Sequence, residues 1–175
     1  MVSMPPAVIP PLVVMGVQGS GKTTVGRALA VRLGVAFIDG DELHSPESKT
    51  KMAAGYALSD ADREPWLRAI GAVIGNAVVH GGSVVVACSA LKRSYRALIR
   101  AAAPETRFVH LDGARGLIAE RLSMRRHEYM PPTLLDSQFM TLEPLDADEP
   151  GVRIDLAKTP EEIVADVAAL FGDTL

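Results

Sequence analysis

Apolar residues occur along this chain in short runs that alternate with longer stretches of mixed polarity. The short runs are rich in valine and isoleucine, which predicts buried strands. The five predicted strands are LVVM (12–15), AFID (36–39), SVVVA (83–87), RFVHL (107–111) and VRID (152–155). Strands that alternate with helical stretches predict a parallel sheet covered by helices on both faces.

The intervening stretches carry apolar residues at helical spacing and have recognisable boundaries. Helices are predicted near residues 21–33, 46–54, 61–80, 92–102, 114–126 and 161–171. Gly34 and Gly81 each follow a helical stretch, where the left-handed conformation that ends a helix favours glycine. Thr159, followed by Pro160 and Glu162, is typical of a helix start. Five strands with crossover helices predict a doubly wound sheet, whose ligands bind at the carboxyl ends of the strands.

One long segment, residues 125–150, has no strong pattern of its own. It mixes charges with four prolines and has only a short apolar pattern at Leu134, Leu135 and Phe139. Long segments of this kind are often functional lids. Because it begins with two arginines, we expect a lid that is mobile without ligand and ordered by ligand binding.

Composition narrows the class of protein. A length of 175 residues with 48% apolar residues predicts a single domain, 1–175. The formal net charge of -3 gives no broad basic face for nucleic acid or an anionic membrane, so a small-molecule partner is expected. Cys88 has no partner for an internal disulfide and is interpreted as a buried small hydrophobe. With no signal peptide and no clean membrane span, we expect a soluble, cytoplasmic protein.

The residues GVQGSGKT, Gly16–Thr23, stand between the first predicted strand and the first predicted helix. Glycines let the backbone turn successive N–H groups inward as a nest for phosphate oxygens, and the helix aims its positive end at the same point. Lys22 adds a mobile charge over the β- and γ-phosphates, while the Thr23 hydroxyl can complete the shell of a hydrated Mg²⁺ ion. In this context the motif is a phosphate-binding loop (P-loop), which predicts ATP and Mg²⁺ as ligands.

A P-loop in this sheet predicts the three-layer α/β fold of the P-loop NTPases, with a lid segment. The residues predicted to contact the nucleotide here are Gly16, Gln18, Gly19, Ser20, Gly21, Lys22, Thr23 and Thr24. Motors and switch GTPases carry a carboxylate after a neighbouring apolar strand, but SVVVA is followed by no acid. No N-K-x-D element that would recognise guanine is present either.

The acids instead follow the second strand, where Asp39 and Asp41 flank Gly40. The two carboxylates point the same way if the strand geometry continues. One could hold Mg²⁺ through water, and the other could accept a proton from an attacking hydroxyl. We assign the metal to Asp39 with Thr23, and the base to Asp41, which lies further beyond the strand. The reverse assignment, or a plain solvated Asp-Gly turn, stays open.

Four separated blocks resemble the successive signatures of the thermoresistant, P-loop type of gluconokinase. These blocks are FIDGDELH (37–44), KMAAGYALSDADREPWL (51–67), CSALKRSYR (88–96) and YMPPTLLDSQFMTLEPL (129–145). The resemblance extends from Leu12 to Leu170. It implies ATP-dependent phosphorylation of D-gluconate at its 6-hydroxyl, a fold like that of the nucleoside monophosphate kinases, and a homodimer. The chain departs from the family at His127 and Glu128, where a Gly-His pair is usual.

Gluconate carries a carboxylate and a row of hydroxyls, so its pocket needs cations and hydrogen-bonding groups. The resemblance makes Arg63, Lys92 and Arg96 the candidates for these contacts, with His44 as a hydroxyl partner. Trp66 recurs with apolar residues at helical spacing and is expected in a core or dimer face.

Arg121 and Arg125 stand four residues apart on one predicted helix. In related small kinases such a pair serves the nucleotide, the first arginine packing on adenine and the second reaching the phosphates as the lid closes. Arg125 therefore joins Lys22 and Asp41 as a predicted catalytic residue. Residues 156–160, LAKTP, are expected on the other side of adenine.

Two other functions stay open. The first is a kinase for another small hydroxy acid, such as a shikimate-type enzyme. The second is a P-loop nucleotide-binding regulator without catalysis, which the acid pair beside an arginine-bearing lid disfavours.

Overall fold

The computed structural model describes residues 8–124 and 132–172. Five parallel strands form one sheet in the order β2-β3-β1-β4-β5. The strands are β1 (Leu12–Met15), β2 (Ala36–Asp39), β3 (Val84–Ala87), β4 (Arg107–Asp112) and β5 (Gly151–Asp155). The first two begin and end where the apolar runs predict.

Helices connect the strands and cover the sheet. They are α1 (Lys22–Leu33), α2 (Pro46–Ala53), α3 (Asp60–Val79), α4 (Arg93–Ala102), α5 (Arg115–Ser123), α6 (Pro132–Thr141) and α7 (Pro160–Phe171). From β1 the chain crosses toward the β2 edge of the sheet, and from β3 it crosses toward the β5 edge. Right-handed crossovers therefore place α1 and α4 on opposite faces. Because α1 packs against α7 and α3 against α4, the predicted three-layer α/β P-loop fold is confirmed.

The central strands are buried on both faces, which explains their unbroken apolar runs. All residues of β1 and β3 are buried, and they pack with Leu29 of α1 and with Leu67 and Ile99 of the other layer. Burial of each such side chain contributes about 1.5–3 kcal/mol. This packing makes a rigid platform for the loops at the carboxyl ends of the strands.

Helix boundaries follow the predicted signals closely. Gly34 has a φ of 68° at the end of α1 and Gly81 a φ of 77° after α3, so both adopt the left-handed conformation. At the start of α3, the side chain of Ser59 accepts from the N–H of Asp62, whose carboxylate accepts from the N–H of Ser59. This capping box fixes the first turn of α3, which carries Arg63.

Within the predicted lid segment, the described residues 132–150 contain more regular structure than the sequence pattern predicts. Its middle forms α6, whose Leu135 is buried. Its end is anchored, because the N–H of Glu143 donates to the carbonyl of Leu91 at 2.7 Å and Glu149 pairs with Arg96 at 2.7 Å. Such anchors join positions about fifty residues apart and leave no mark on local periodicity. Residues 125–131 lie outside the described residues.

Within the described ranges, none of the helices combines the length and the apolar character that crossing a membrane requires.

Candidate active site

The phosphate loop has the backbone geometry that an anion site requires. Gly19 and Gly21 have φ angles of 82° and 96°, in the region that favours glycine. The N-cap residue of α1 is Gly21, which has no side chain to cap the N–H groups of that helix. Ser20 is buried, and its hydroxyl has no hydrogen-bond partner among the described residues. The start of α1 therefore leaves backbone N–H donors beside the glycine turns of the loop, as phosphate binding needs.

Lys22 and the two threonines begin α1 beside this loop. Nζ of Lys22 donates to the carbonyl of Val17 at 3.1 Å, which folds the side chain over the loop. Thr23 and Thr24 are exposed in the first turn. The N–H of Gly16 donates to the carbonyl of Ser89 at 3.3 Å, so the loop is tied to the end of β3.

A cavity of about 630 Å³ opens on one side of the phosphate loop. Five of the predicted site residues line it: Gln18, Lys22, Asp41, His44 and Arg63. Side chains that the sequence analysis did not assign to the site complete the wall, among them Lys49, Tyr56, Trp66, Leu134, Ser137 and Gln138. The cavity therefore places the phosphate-binding lysine, one acid and one arginine around a single space.

The two acids after β2 differ in their surroundings. The strand ends at Asp39, and Gly40–Leu43 forms a 3₁₀ turn. Oδ1 of Asp39 accepts from the N–H of Asp41 at 3.0 Å. The expected continuation of strand geometry is therefore wrong, because Asp39 caps the turn as aspartates before glycine often do. Asp41 lines the cavity, whereas Asp39 is not among its lining residues.

His44 and Trp66 form one wall of the cavity. Their rings stack with centroids 3.9 Å apart, and Nε1 of Trp66 donates to the carbonyl of Gly40 at 2.7 Å. Trp66 is thus part of the core, as expected, and also part of the pocket. Burial, and then the charges of Arg63 and Lys49, lower the pKa of His44 to about 4. The ring is therefore neutral near pH 7, and its Nδ1 has no partner among the described residues.

Arg63 is held from behind by a chain of polar contacts. Its Nη1 donates to the hydroxyl of Tyr95 at 2.9 Å, and that hydroxyl donates to Asp60. Nζ of Lys92 lies 3.2 Å from both carboxylate oxygens of Asp60. Lys92, predicted to contact the substrate, is not among the residues that line this cavity. Its contact with the pocket is indirect and passes through Asp60 and Tyr95 to Arg63.

Arg96 is also placed away from the cavity, although it was predicted to bind substrate. Its side chain is 1% exposed and makes a bidentate pair with Glu149 at 2.7 and 2.9 Å. Nη1 also donates to the carbonyls of Ala90 and Leu91. Ala90 has a φ of 44°, so Arg96 stabilises a backbone turn that few non-glycine residues adopt. The prediction that Arg96 binds substrate is therefore corrected, because its guanidinium is bound to Glu149 and to backbone carbonyls.

A second cavity, of about 280 Å³, lies on the other side of the phosphate loop. Ser20, Gly21 and Thr24 line it together with Arg121 and residues of the 156–160 segment. Nη2 of Arg121 donates to the carbonyl of Leu156 at 2.8 Å. The structure thus brings together the two walls expected for adenine. Arg125, predicted to complete this site, lies outside the described residues.

The described residues offer oxygen ligands suited to a hydrated ion. Among them no cluster of three or more histidine, cysteine, aspartate or glutamate residues could hold a metal. Mg²⁺ usually retains several waters and takes one or two protein oxygens besides phosphate oxygens. The exposed Thr23 hydroxyl and the carboxylate of Asp39, whose Oδ1 accepts from the N–H of Asp41, fit that demand.

Sequence reasoning missed the cavity residues Lys49, Ser137 and Gln138. Lys49 lies in the first turn of α2, and a single lysine on a helix usually only contacts solvent. Ser137 and Gln138 lie between the apolar residues Leu135 and Phe139. The polar positions of this amphipathic pattern could have indicated a helix with one side on a pocket.

Comparisons with known proteins agree with this geometry. The family model described as shikimate kinase matches residues 18–149. A gluconokinase of Gluconobacter oxydans is 45% identical over 160 residues, which cover 91% of this chain and 90% of that protein. The thermoresistant gluconokinase of Escherichia coli is 41% identical over 155 residues, with coverage of 87% and 88%. The solved structure of a gluconokinase from Sinorhizobium meliloti has a TM-score of 0.85 and 44% identity, covering 94% of this chain and 95% of that one. The chain belongs to the gluconokinase family.

Proposed function

We propose that this chain transfers the γ-phosphoryl group of ATP to the 6-hydroxyl of D-gluconate, giving 6-phosphogluconate and ADP. The observation that carries the proposal is the larger cavity, in which Lys22 and Asp41 share one space with Arg63 and Lys49. Relatives with more than 40% identity that are named gluconokinases support this substrate.

The positive end of the cavity suits the carboxylate of gluconate. The positive charges of Arg63 and Lys49 lower the pKa of His44 further than burial alone does. An anion placed among these groups would be stabilised, and the neutral His44 would remain available to a hydroxyl. Because the chain as a whole is acidic, this cationic end is a local feature.

The carboxylate of Asp41, which lines the same cavity, suits the reacting hydroxyl. Asp41 orients the 6-hydroxyl and accepts its proton as the oxygen bonds to the γ-phosphorus. The bond from that phosphorus to the bridging oxygen breaks, and the electron pair leaves with ADP. Lys22 neutralises charge on the phosphates during this transfer.

Other groups hold the nucleotide. Thr23, and Asp39 through water, would hold Mg²⁺, which would further neutralise the charge on the phosphates. Arg121 packs on adenine opposite residues 156–160. Arg125 is proposed to reach the phosphates, and segment 125–150 to act as a lid whose moving part ends before residue 142.

We also propose that the protein is a cytoplasmic homodimer, as the family resemblance implies. Size-exclusion chromatography with light scattering tests the dimer, and a mass of 18.6 kDa would contradict it.

A coupled assay of ADP release tests the function. Gluconate, shikimate, glycerate and nucleoside monophosphates are offered in turn with ATP and Mg²⁺. We expect turnover with gluconate at least about a hundredfold above the others, because buried polar groups left unpaired by a wrong substrate are costly. Preference for shikimate would support the other hydroxy-acid kinase, and nucleotide binding without turnover would support the regulator.

A further inference from the structure

Gln138, on α6, is hydrogen-bonded to the phosphate loop. Its Oε1 accepts from the backbone N–H of Gln18 at 2.7 Å, across 120 positions of the chain. Both residues line the larger cavity, as do Leu134 and Ser137 of the same helix. The contact therefore joins a helix that lines the acceptor pocket to the loop that holds the phosphates.

The two cavities indicate which phosphate lies beside Gln18. Ser20 and Gly21 line the smaller cavity on the Arg121 side, whereas Gln18 lines the larger cavity with Asp41. A terminal phosphate must face the acceptor, so it lies at the Gln18 end of the loop. The γ-phosphate would therefore lie next to the N–H of Gln18, which donates to Oε1 of Gln138 in this structure.

The chemistry of a carboxamide allows two states of this contact. Half a turn about its last side-chain bond replaces the acceptor Oε1 of Gln138 by the donor Nε2. Among the described residues none accepts a hydrogen bond from Nε2. An anionic phosphate oxygen accepts a stronger hydrogen bond than a neutral carbonyl does. It would take the N–H of Gln18 and leave Nε2 of Gln138 to donate to the same phosphate.

We propose that Gln138 recognises the terminal phosphate of the nucleotide and couples it to α6. The inference rests on the proposed function in that the nucleotide is ATP. Without that phosphate, or with ADP, Oε1 of Gln138 holds the Gln18 N–H. With ATP, Nε2 of Gln138 binds the γ-phosphate and sets the Leu134 and Ser137 side of α6 against the acceptor. The position of α6 at the pocket thus depends on whether a transferable phosphate is present.

The test compares ADP with the imido analogue of ATP, by titration calorimetry with Mg²⁺ and without gluconate. For Gln138→Ala we expect affinity for the analogue to fall about tenfold, the effect of losing one hydrogen bond to a charged group. Gln138→Glu should lose more, since its carboxylate repels the phosphate. Affinity for ADP should change less than about twofold in both variants. Met140→Glu, on an 88% exposed side chain of the same helix, adds the same charge and should change neither affinity.

A second measurement uses the unaltered chain and does not depend on whether a variant folds. Hydrogen exchange over residues 132–141 should be slower with the analogue than with ADP. Equal exchange with the two nucleotides overturns the inference. So does an equal loss of affinity for both nucleotides in the Gln138 variants, or no loss for either.

The two proposals fail separately. If Gln138 distinguishes the analogue from ADP but the chain does not phosphorylate gluconate, this inference holds and the proposed function is wrong. If the chain phosphorylates gluconate but Gln138→Ala changes the affinity for both nucleotides equally, the proposed function holds and this inference is wrong.

Discussion

The phosphate loop and the acceptor pocket meet at Lys22 but are built in different ways. The loop is eight consecutive residues, and its donors are backbone N–H groups aimed by glycine conformations. The pocket is made of side chains from α2, α3, α6 and the turn after β2. Phosphate recognition is therefore local in the chain, whereas recognition of the acceptor depends on contacts between distant elements.

The largest expected effect is at the point where the two regions meet. Lys22→Met keeps most of the length of the side chain and removes its charge. We expect turnover to fall about a thousandfold to a hundred-thousandfold, the range for a cation at the transferring phosphoryl group. Steady-state kinetics with gluconate measure the loss, and circular dichroism checks that the variant is folded. Turnover near that of the unaltered chain would mean that the chemistry takes place elsewhere.

Asp41 should have the next largest effect, and Asp39 provides its control. Asp41→Asn removes the proton acceptor from the cavity, so kcat should fall about a hundredfold to ten-thousandfold with little change in ATP affinity. In Asp39→Asn the amide oxygen can still cap the 3₁₀ turn, so this variant should mainly raise the Mg²⁺ concentration needed for half-maximal rate. A shift of the Mg²⁺ titration in Asp41→Asn alone would exchange the two roles.

The same contrast explains what the sequence could predict. Strands β1 and β2, the glycines that end α1 and follow α3, and the phosphate loop are each determined within a few residues. Arg96 was placed wrongly because its partner Glu149 is 53 positions away. Gln138 was missed for the same reason, since only the folded chain brings it to Gln18. The sequence pattern is sufficient to predict an interaction between residues that are close in the chain. For residues far apart in the chain, the side-chain type alone does not identify the partner.

Arg96 tests whether an arginine near the site belongs to the fold or to the pocket. Arg96→Met leaves Glu149 buried without its cation, so the free energy of unfolding should fall by about 3–5 kcal/mol. Urea denaturation measures this loss. Arg93→Met is the matched control, because the pair of Arg93 with Asp148 is exposed and should contribute about 0–1 kcal/mol. A loss as large in the control as in Arg96→Met would contradict the structural role of Arg96.

Tyr95 gives the smallest expected effect and tests whether the pocket depends on residues outside it. Tyr95→Phe retains the ring, over which Arg63 lies at 5.5 Å, but removes the hydroxyl that accepts from Arg63 and donates to Asp60. A net hydrogen bond contributes about 0.5–1.5 kcal/mol, so the KM for gluconate should rise about twofold to tenfold while the KM for ATP is unchanged. In an Arg63→Gln background the same substitution should have almost no further effect on the KM for gluconate, because the two residues act as one unit. An equal rise in both backgrounds would show that Tyr95 affects gluconate binding independently of Arg63, and the polar chain from Lys92 to Arg63 would then have no part in recognising the acceptor.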